Sequence, residues 1–410
     1  MLMNKTRLFK KSIIAATITL ASQQAVAAGF QLNAQSATGL GRAFAGDAVI
    51  ADNASSMARN PATMAMFDET AMSLGFVTIT SMIEVKDATY NGVYDANQDD
   101  AGDTSVAPNL HLIVPVNDKF AWGVNAYSNF GTKTEFDDDY VAGEFGGTTD
   151  VKSFNLGVAG SYRINDQWSV GAGLDAVYGS GKFNRTTSTG ITAVDIDANG
   201  WALGFNLGAV YELDERNRFG LAYHYSPKLE AKGDIDKLGL VGSMPVVSTY
   251  SDDTLYMPLP DILEFSGYHE IKDTQFAVHY SIQWIGWSSF DKLEAEDAGF
   301  INTYEWQDGM HYSIGGTYFL NQDWTLRAGY MHDTSAQDEV TSISVPDSDR
   351  NWFSAGFTYH LTEKSNVDFG FTYLLGEDVD VEESTDLGTS ITATTHADAI
   401  LVGLQYSRTF

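Results

Sequence analysis

The sequence predicts an all-β fold: a fourteen-stranded antiparallel transmembrane β-barrel with an N-terminal hatch inside its lumen. Three observations lead there. The chain opens on an export signal, it repeats an apolar alternation between short turns and long polar loops, and an apolar segment without strand pattern precedes the first strand.

Lys5, Arg7, Lys10 and Lys11 form a positive n-region, Ile13 to Leu20 an apolar stretch, and Ala25-Val26-Ala27 a small-residue cleavage site, so residues 1–27 read as a signal peptide. The apolar stretch is shorter than the roughly 20 residues that a membrane helix needs. Of the 24 Lys and Arg, 20 remain after cleavage against 54 Asp and Glu, a formal charge of −34. That balance excludes nucleic acid as a partner, because phosphate binding needs clustered cations. Cysteine is absent, so the exported chain holds its fold without disulfides.

From about residue 71 the alternation counts strands. Short turns fall at "VNDK" (116–119), "INDQ" (164–167), "LDERN" (213–217), "IKDT" (271–274), "LNQD" (320–323) and "TEKSN" (362–366), with longer polar stretches between them. If both sheet ends lie on the short-turn side, six turns require seven loops and fourteen strands, an even number as in bacterial outer-membrane barrels. The pattern predicts strands of roughly 10 to 14 residues, enough to cross a bilayer when tilted. Phe276, Val278, Tyr280, Ile282 and Trp284 suit lipid, while Ala277, His279, Ser281 and Gln283 suit a polar lumen. His279, His311 and His360 share the lumen parity, which predicts solvated histidines. Trp122, Trp168, Trp324, Tyr162, Tyr211 and Tyr318 lie beside the short turns, as an interfacial girdle does. A soluble sandwich or propeller would have shorter strands and no such asymmetry of turns and loops.

Residues 28–70 carry Phe30, Leu32, Leu40, Phe44, Val49, Ile50 and Met57 among Gly and Ala, a composition that needs burial. The lumen of so wide a barrel, 71–410, is the place available. Within that segment "NASSMARNPATM" holds Asn60-Pro61-Ala62, where proline fixes its own φ and pushes Asn60 out of the α region.

"AGFQLNAQSATGLGRAFAGDAVIADNASSMARNPATMAMF" resembles the N-terminal hatch of FadL-type outer-membrane long-chain fatty acid transporters, the OMPP1/FadL/TodX family. The likeness continues through "APNLHLIVPVNDKFAWGVNAYSNFGTKTEF", "LDAVYGSGKF", "YELDERNRFGLAYHYSP" and "SISVPDSDRNWFSAGFTY". It implies uptake of a hydrophobic ligand, with Arg59, Asn60, Pro61 and Ala62 in a hatch that shifts on binding. A lateral opening at a kink in the third strand is implied at Asn129, Phe130 and Gly131. The headgroup cation is implied at Arg185, with Lys182 nearby; a second family cation corresponds to Gln307 in "EWQDG", a departure. Loop three, 183–198, is short, and loop four offers Leu238, Leu240, Val241, Met244, Val246 and Val247 as an outer hydrophobic surface. The aromatic terminal strand ending at Phe410 looks like the signal read by the barrel-assembly machinery, and the acidic loops are expected to share divalent ions with lipopolysaccharide.

No catalytic or cofactor pattern is present. "GLGRAFAG" follows no strand and is not a dinucleotide fingerprint, and no serine sits in a nucleophile elbow. "DANQDDAG" imitates a calcium loop at Asp95, Asn97 and Asp99 but has Asp100 where glycine is needed and Val106 where the bidentate glutamate belongs, so no metal site is expected. The expected function is passive, ligand-gated uptake of long-chain fatty acids, with uncharged hydrocarbons as the alternative that Gln307 favours. An open porin or an adhesin is a different class, against which the hatch argues.

Overall fold

Fourteen antiparallel wall strands close into one barrel in the computed structural model, which describes residues 29–241 and 244–410. The signal peptide, 1–27, lies outside the described residues. In chain order the wall is β1 Ala71–Tyr90, β2 Thr104–Asn117, β3 Phe120–Tyr127 continued as Gly131–Glu135, β4 Thr148–Arg163, β5 Trp168–Thr186, and β6 Thr192–Asp214. Then come β7 Asn217–Tyr225 continued as Lys228–Val241, β8 Met244–Pro258 continued as Ile262–Glu270, β9 Phe276–Ile285, and β10 Gly309–Phe319. The last four are β11 Trp324–Asp333, β12 Arg350–Thr362, β13 Ser365–Gly376 continued as Val379–Ser384, and β14 Ser390–Thr409. Closure is made by β1 on β14, from Ala71 opposite Thr409 to Tyr90 opposite Ile391.

The short turns are where the sequence places them, and one device recurs. Asn117 Oδ1 accepts from the Lys119 and Phe120 amides, both at 3.0 Å. Asn165, Asp214 and Asn321 do the same for their own turns. An Asx side chain that bonds the backbone two or three residues on fixes a tight reversal. Several strands keep to the expected 10 to 14 residues, such as β2 with 14, β9 with 10 and β12 with 13, while others exceed it: β6 runs 23 and β1 runs 20. Apolar alternation marks only the part in lipid, whereas the backbone ladder continues beyond it at no cost in pairing.

Residues 29–66 occupy the lumen and are almost wholly buried. Helix α1, Ala37–Leu40, is capped by Ser36, whose Oγ accepts from the Gly39 amide at 2.9 Å, and it lies on β12, β13 and β14. Leu40 and Phe44 pack there with Val77, Trp352 and Leu374 of the wall. Helix α2, Ser56–Arg59, ends at Asn60, and a 3₁₀ turn, Pro61–Met66, follows. The wall is shaped to receive this path. A Cβ added at Gly208 of β6 would run into Asn60 Oδ1 and sit 3.0 Å from Pro61 Cδ, and one at Gly370 of β13 would sit 3.0 Å from the Gly41 amide. Glycine is required at both, since hatch backbone takes the space of a side chain.

A belt of inward polar residues faces the hatch. His111, Asn125, Asp175, Asn206, His224, Glu264, Gln283, His311, Asp333 and Arg350 follow one another around the wall. His279 and His311 correct the expectation of solvated histidines: both are buried, because the hatch displaces bulk water from the lumen. His311 Nδ1 meets Asn33 Nδ2 at 3.3 Å and His279 Nε2 meets Thr317 Oγ1 at 3.1 Å. His360 is only partly buried, beside Thr325.

Gly208→Val is expected to leave an inserted barrel with normal heat-modifiable mobility while displacing the turn at Asn60. Trypsin should then cut after Arg59, which is buried in the native protein. Continued protection of that bond would contradict the packing argument.

Candidate functional site

Above the hatch, toward the long loops, lies the largest apolar cluster. Phe30 is at its centre, with ring centroids 4.6 Å from Trp287, 5.3 Å from Phe290, 5.6 Å from Trp306 and 6.4 Å from Phe130. Val177 and Phe183 of β5, Leu255 and Met257 of β8, and Tyr304 complete the walls. Burying one phenylalanine is worth about 3 kcal/mol at most, so a ligand of many methylenes can displace Phe30. The chain just before it is held from above: the Gly29 amide donates to Asp347 Oδ2 at 3.1 Å, and Arg350 holds Asp347 Oδ1 at 2.5 Å.

Arg185 stands at the rim of this cluster on the same inward parity of β5 as Phe183. Although only 8% exposed, its guanidinium has no carboxylate within ion-pair distance among the described residues. It donates instead to the Thr148 carbonyl at 2.6 Å, the Asn184 carbonyl at 3.0 Å and Thr149 Oγ1 at 2.5 Å. A buried cation satisfied only by neutral acceptors keeps its charge available for an anion. Beside those acceptors opens a surface cleft of about 430 Å³, lined by Phe136, Tyr140, Thr148, Asn184 and Thr186 among others.

The other two headgroup candidates are not brought to Arg185. Lys182 is three residues away on the same strand, hence on the opposite face, and is exposed. Gln307 is also exposed, its Nε2 3.4 Å from the Ser335 carbonyl. The members of its loop that are buried in the cluster are Tyr304 and Trp306. Glu383, on the strand segment that continues β13 beyond the membrane, interacts electrostatically with Arg185. Burial pushes its carboxyl from the ordinary 4.5 up to about 7, against the opposing pull of the Ile343 amide, Ser342 and Arg185.

The wall is interrupted beside the cluster. β2 and β3 stay paired up to Leu110 opposite Ala126, and Gly131–Glu135 pairs with β4 alone. Between them Ser128, Asn129 and Phe130 are all buried, and Asn129, Phe130 and Gly131 take partners from the hatch. Phe130 bridges to Gln31, the Leu32 amide donates to the Asn129 carbonyl at 2.5 Å, and the Gly131 amide to the Phe30 carbonyl at 2.7 Å. At Asn129, Phe130 and Gly131 the hatch backbone thus takes the place of β2 in the ladder. Lys133 to Asp103, at 2.5 Å, joins the two strands again above the gap.

Asn60 fastens the opposite end of the hatch. Its Oδ1 accepts from the Ala62 amide at 2.9 Å, while Nδ2 donates to the Ala48 carbonyl at 2.6 Å and the Ala209 carbonyl of β6 at 3.2 Å. Pro61 opens the 3₁₀ turn and Ala62 is fully buried. Arg59, one residue earlier, donates to Asn33 Oδ1 at 2.6 Å and pairs with Glu264 at 3.3 Å. Asn33 meets His311, His311 meets Asp333 at 3.1 Å, and Asp333 meets Arg350 at 3.4 Å. One polar chain thus runs from Gly29 and Asp347 to the Asn60 turn. Sequence reasoning assigned no role to Asp347 or Arg350; an aspartate and an arginine three apart in "VPDSDRN" were the only signal.

Loop four is regular structure. Leu238, Leu240, Val241, Met244, Val246 and Val247 belong to a β-hairpin, with Val241 opposite Met244, that prolongs β7 and β8. Val241 and Met244, 64% and 65% exposed, are at its tip, so the apolar surface is present on regular structure. Loop three is short, reduced to 187–191.

A barrel with a lumenal hatch, an apolar chamber beneath its outer loops and an interrupted wall is an outer-membrane transport channel. The chain belongs to the family described as "Outer membrane protein transport protein (OMPP1/FadL/TodX)", whose family model matches residues 18–410. It is 36% identical over 426 residues to the long-chain fatty acid transport protein of Escherichia coli K12, covering 93% of this chain and 95% of that one. Outer membrane protein P1 of Haemophilus influenzae is 35% identical over 465 residues, with 98% and 99% coverage. Among solved structures, a Pseudomonas aeruginosa FadL homologue superposes with TM-score 0.84 at 21% identity, covering 93% of this chain and all of that one. The Ralstonia pickettii toluene transporter TbuX gives TM-score 0.67 at 17% identity, with 92% and 98% coverage. The last two likenesses concern the fold.

Because the folded pKa of Glu383 is raised, its contribution to stability is present below about 4.5 and lost as pH rises through about 7. Protonation also frees Arg185 from a competing carboxylate. Oleate should therefore bind the purified protein more tightly at pH 6 than at pH 8, and Glu383→Gln should flatten that dependence in a fluorescence titration. An unchanged profile in the variant would separate Glu383 from the site.

Proposed function

We propose that this protein takes up long-chain fatty acids across the outer membrane by ligand-gated passive diffusion. The observation that carries the reading is Arg185, a buried cation with only neutral partners at the edge of an all-apolar chamber whose centre is filled by the hatch residue Phe30. A carboxylate with a long acyl chain matches both halves. The exposed apolar hairpin at Leu240, Val241 and Met244 collects ligand from the outer surface. The headgroup then pairs with Arg185 and the chain displaces Phe30, each buried methylene contributing about 0.8 kcal/mol.

Loss of Phe30 from the cluster strains the three hydrogen bonds that join residues 29–32 to Asp347, Asn129 and Gly131. The hatch moves, Arg59 and the Asn60-Pro61-Ala62 turn follow, and the gap at Asn129, Phe130 and Gly131 becomes a side exit. Sideways passage into lipid keeps the acyl chain out of water, which continuation into the periplasm would not. No covalent chemistry is involved, and the protein acts as a channel rather than an enzyme. The relatives named as long-chain fatty acid transport proteins support this reading.

Uptake of uncharged aromatic hydrocarbons is the second reading, favoured by a single observation: among the described residues the site brings neither Lys182 nor Gln307 to Arg185, which leaves the rim of the apolar cluster with a single headgroup candidate. Toluene transporters of the same fold are consistent with it. In a strain without its own transporter, Arg185→Ala should lower oleate uptake by roughly 10- to 100-fold, the loss expected for a charged hydrogen-bonded contact, and leave toluene uptake unchanged. Equal sensitivity of both ligands would sink the headgroup assignment. Deleting Ser128–Phe130 so that β3 runs straight along β2 should abolish uptake but preserve binding of oleate.

A further inference from the structure

The hatch satisfies most of the polar belt, but not the arc beside the interrupted wall. Asn125 of β3, Asn155 of β4, Asp175 of β5 and Asn206 of β6 are each more than nine-tenths buried. In all four, Oδ1 has no hydrogen-bond donor among the described residues. The Asp175 carboxylate receives one bond, on Oδ2, from Asn206 Nδ2 at 2.7 Å.

The register explains the convergence. Asn125 and Asp175 are both paired with Gly157 of β4, one from each side. A Cβ at Gly157 would run into Asn125 Oδ1 and lie 2.5 Å from Asp175 Oδ1, so the two oxygens lean toward each other over a residue with no side chain. Next to them is a cavity of about 10 Å³ lined by Asn129, Asn155, Asp175 and His224, room for one water-sized particle. Asn125 Oδ1 and Asp175 Oδ1 meet over Gly157, Asn155 lines the cavity beside Asp175, and Asn206 holds the other carboxylate oxygen while its own Oδ1 lies over Gly173. A water could donate to two of these oxygens and would leave the charge unmatched.

The geometry points to a bound monovalent cation: we propose that Asn125, Asn155 and Asp175 form a sodium-sized site, with Asn206 holding Asp175 in place, that ties β3 to β6 together directly below the wall break. Hard cations take oxygen ligands of this kind, carboxylate and amide carbonyl together. Charge fixes the valence. Asp175 supplies one negative charge, and the Arg59 guanidinium of the hatch is already paired with Glu264, so a divalent ion would leave an uncompensated positive charge in the site. The cavity borders the apolar cluster, with which it shares Phe130, Val177 and Leu259, but the proposal does not rest on the transport reading.

The test is thermal unfolding of the purified full-length protein in non-ionic detergent, followed by heat-modifiable mobility, with sodium, calcium or choline chloride at constant ionic strength. Sodium should raise the midpoint saturably by a few degrees, choline should not, and Asp175→Asn should remove the difference while still yielding a barrel with native mobility. Coincident sodium and choline curves, as water or a carboxyl proton in that place would give, overturn the proposal. So does stabilisation by calcium alone, or a sodium effect that survives in Asp175→Asn. Should that variant fail to fold, crystals of the native protein soaked in thallium(I) give a separate readout: anomalous density between Asn125 and Asp175 is expected, and its absence refutes the site.

Discussion

In lipid, every wall amide and carbonyl must find its partner inside the sheet, and the pairing of Ala71–Tyr90 with Ser390–Thr409 leaves no edge unpaired. Closure at fourteen strands has a consequence: the cylinder is wider than its own side chains can fill. The lumen is therefore filled by residues 29–66, and the wall carries glycines such as Gly208 and Gly370 where hatch backbone presses against it. Barrel and hatch are one packing problem, solved by taking side chains away from the wall.

The same rule makes the interruption of β3 informative. Unpaired backbone at membrane depth is tolerated only where protein supplies the missing partners, and here residues 30–32 of the hatch supply them to Asn129, Phe130 and Gly131. The wall is thus complete only while the hatch is seated. Phe30 packs into the apolar chamber and its carbonyl accepts from the Gly131 amide, so occupation of the chamber and integrity of the wall draw on one short segment. That economy makes gating by a passive ligand physically accessible, with no energy source other than burial of the acyl chain.

Electrostatics divide the lumen by function. From Asp347 through Arg350, Asp333, His311, Asn33 and Arg59 to Glu264, charged and neutral polar side chains are linked one to the next, which holds the hatch in a single register. Arg185 stands apart, bonded only to carbonyls and a hydroxyl. Buried charge without a counter-charge is costly, and proteins keep it where a ligand provides the counter-charge.

What the sequence by itself determined was whatever depends on local pattern. Alternation of Phe276 to Trp284 set the lipid and lumen faces, Asx residues in the turns set the hairpins, and counting turns set fourteen strands, because each follows from spacing along the chain. The roles of Asn129 to Gly131 and of the Asn60-Pro61-Ala62 motif came from resemblance to a family, not from spacing along the chain. Parity alone could have separated Lys182 from Arg185, since residues three apart on a strand face opposite ways. The pairing of Phe30 and Gly29 with Phe130, Asn129 and Asp347, the turning of Gln307 away from the chamber, and the burial of His279 and His311 were decided only by tertiary structure. Each depends on where a segment without strand pattern lies inside the closed cylinder, and no spacing within that segment specifies which wall residues, up to hundreds of positions away, it will meet.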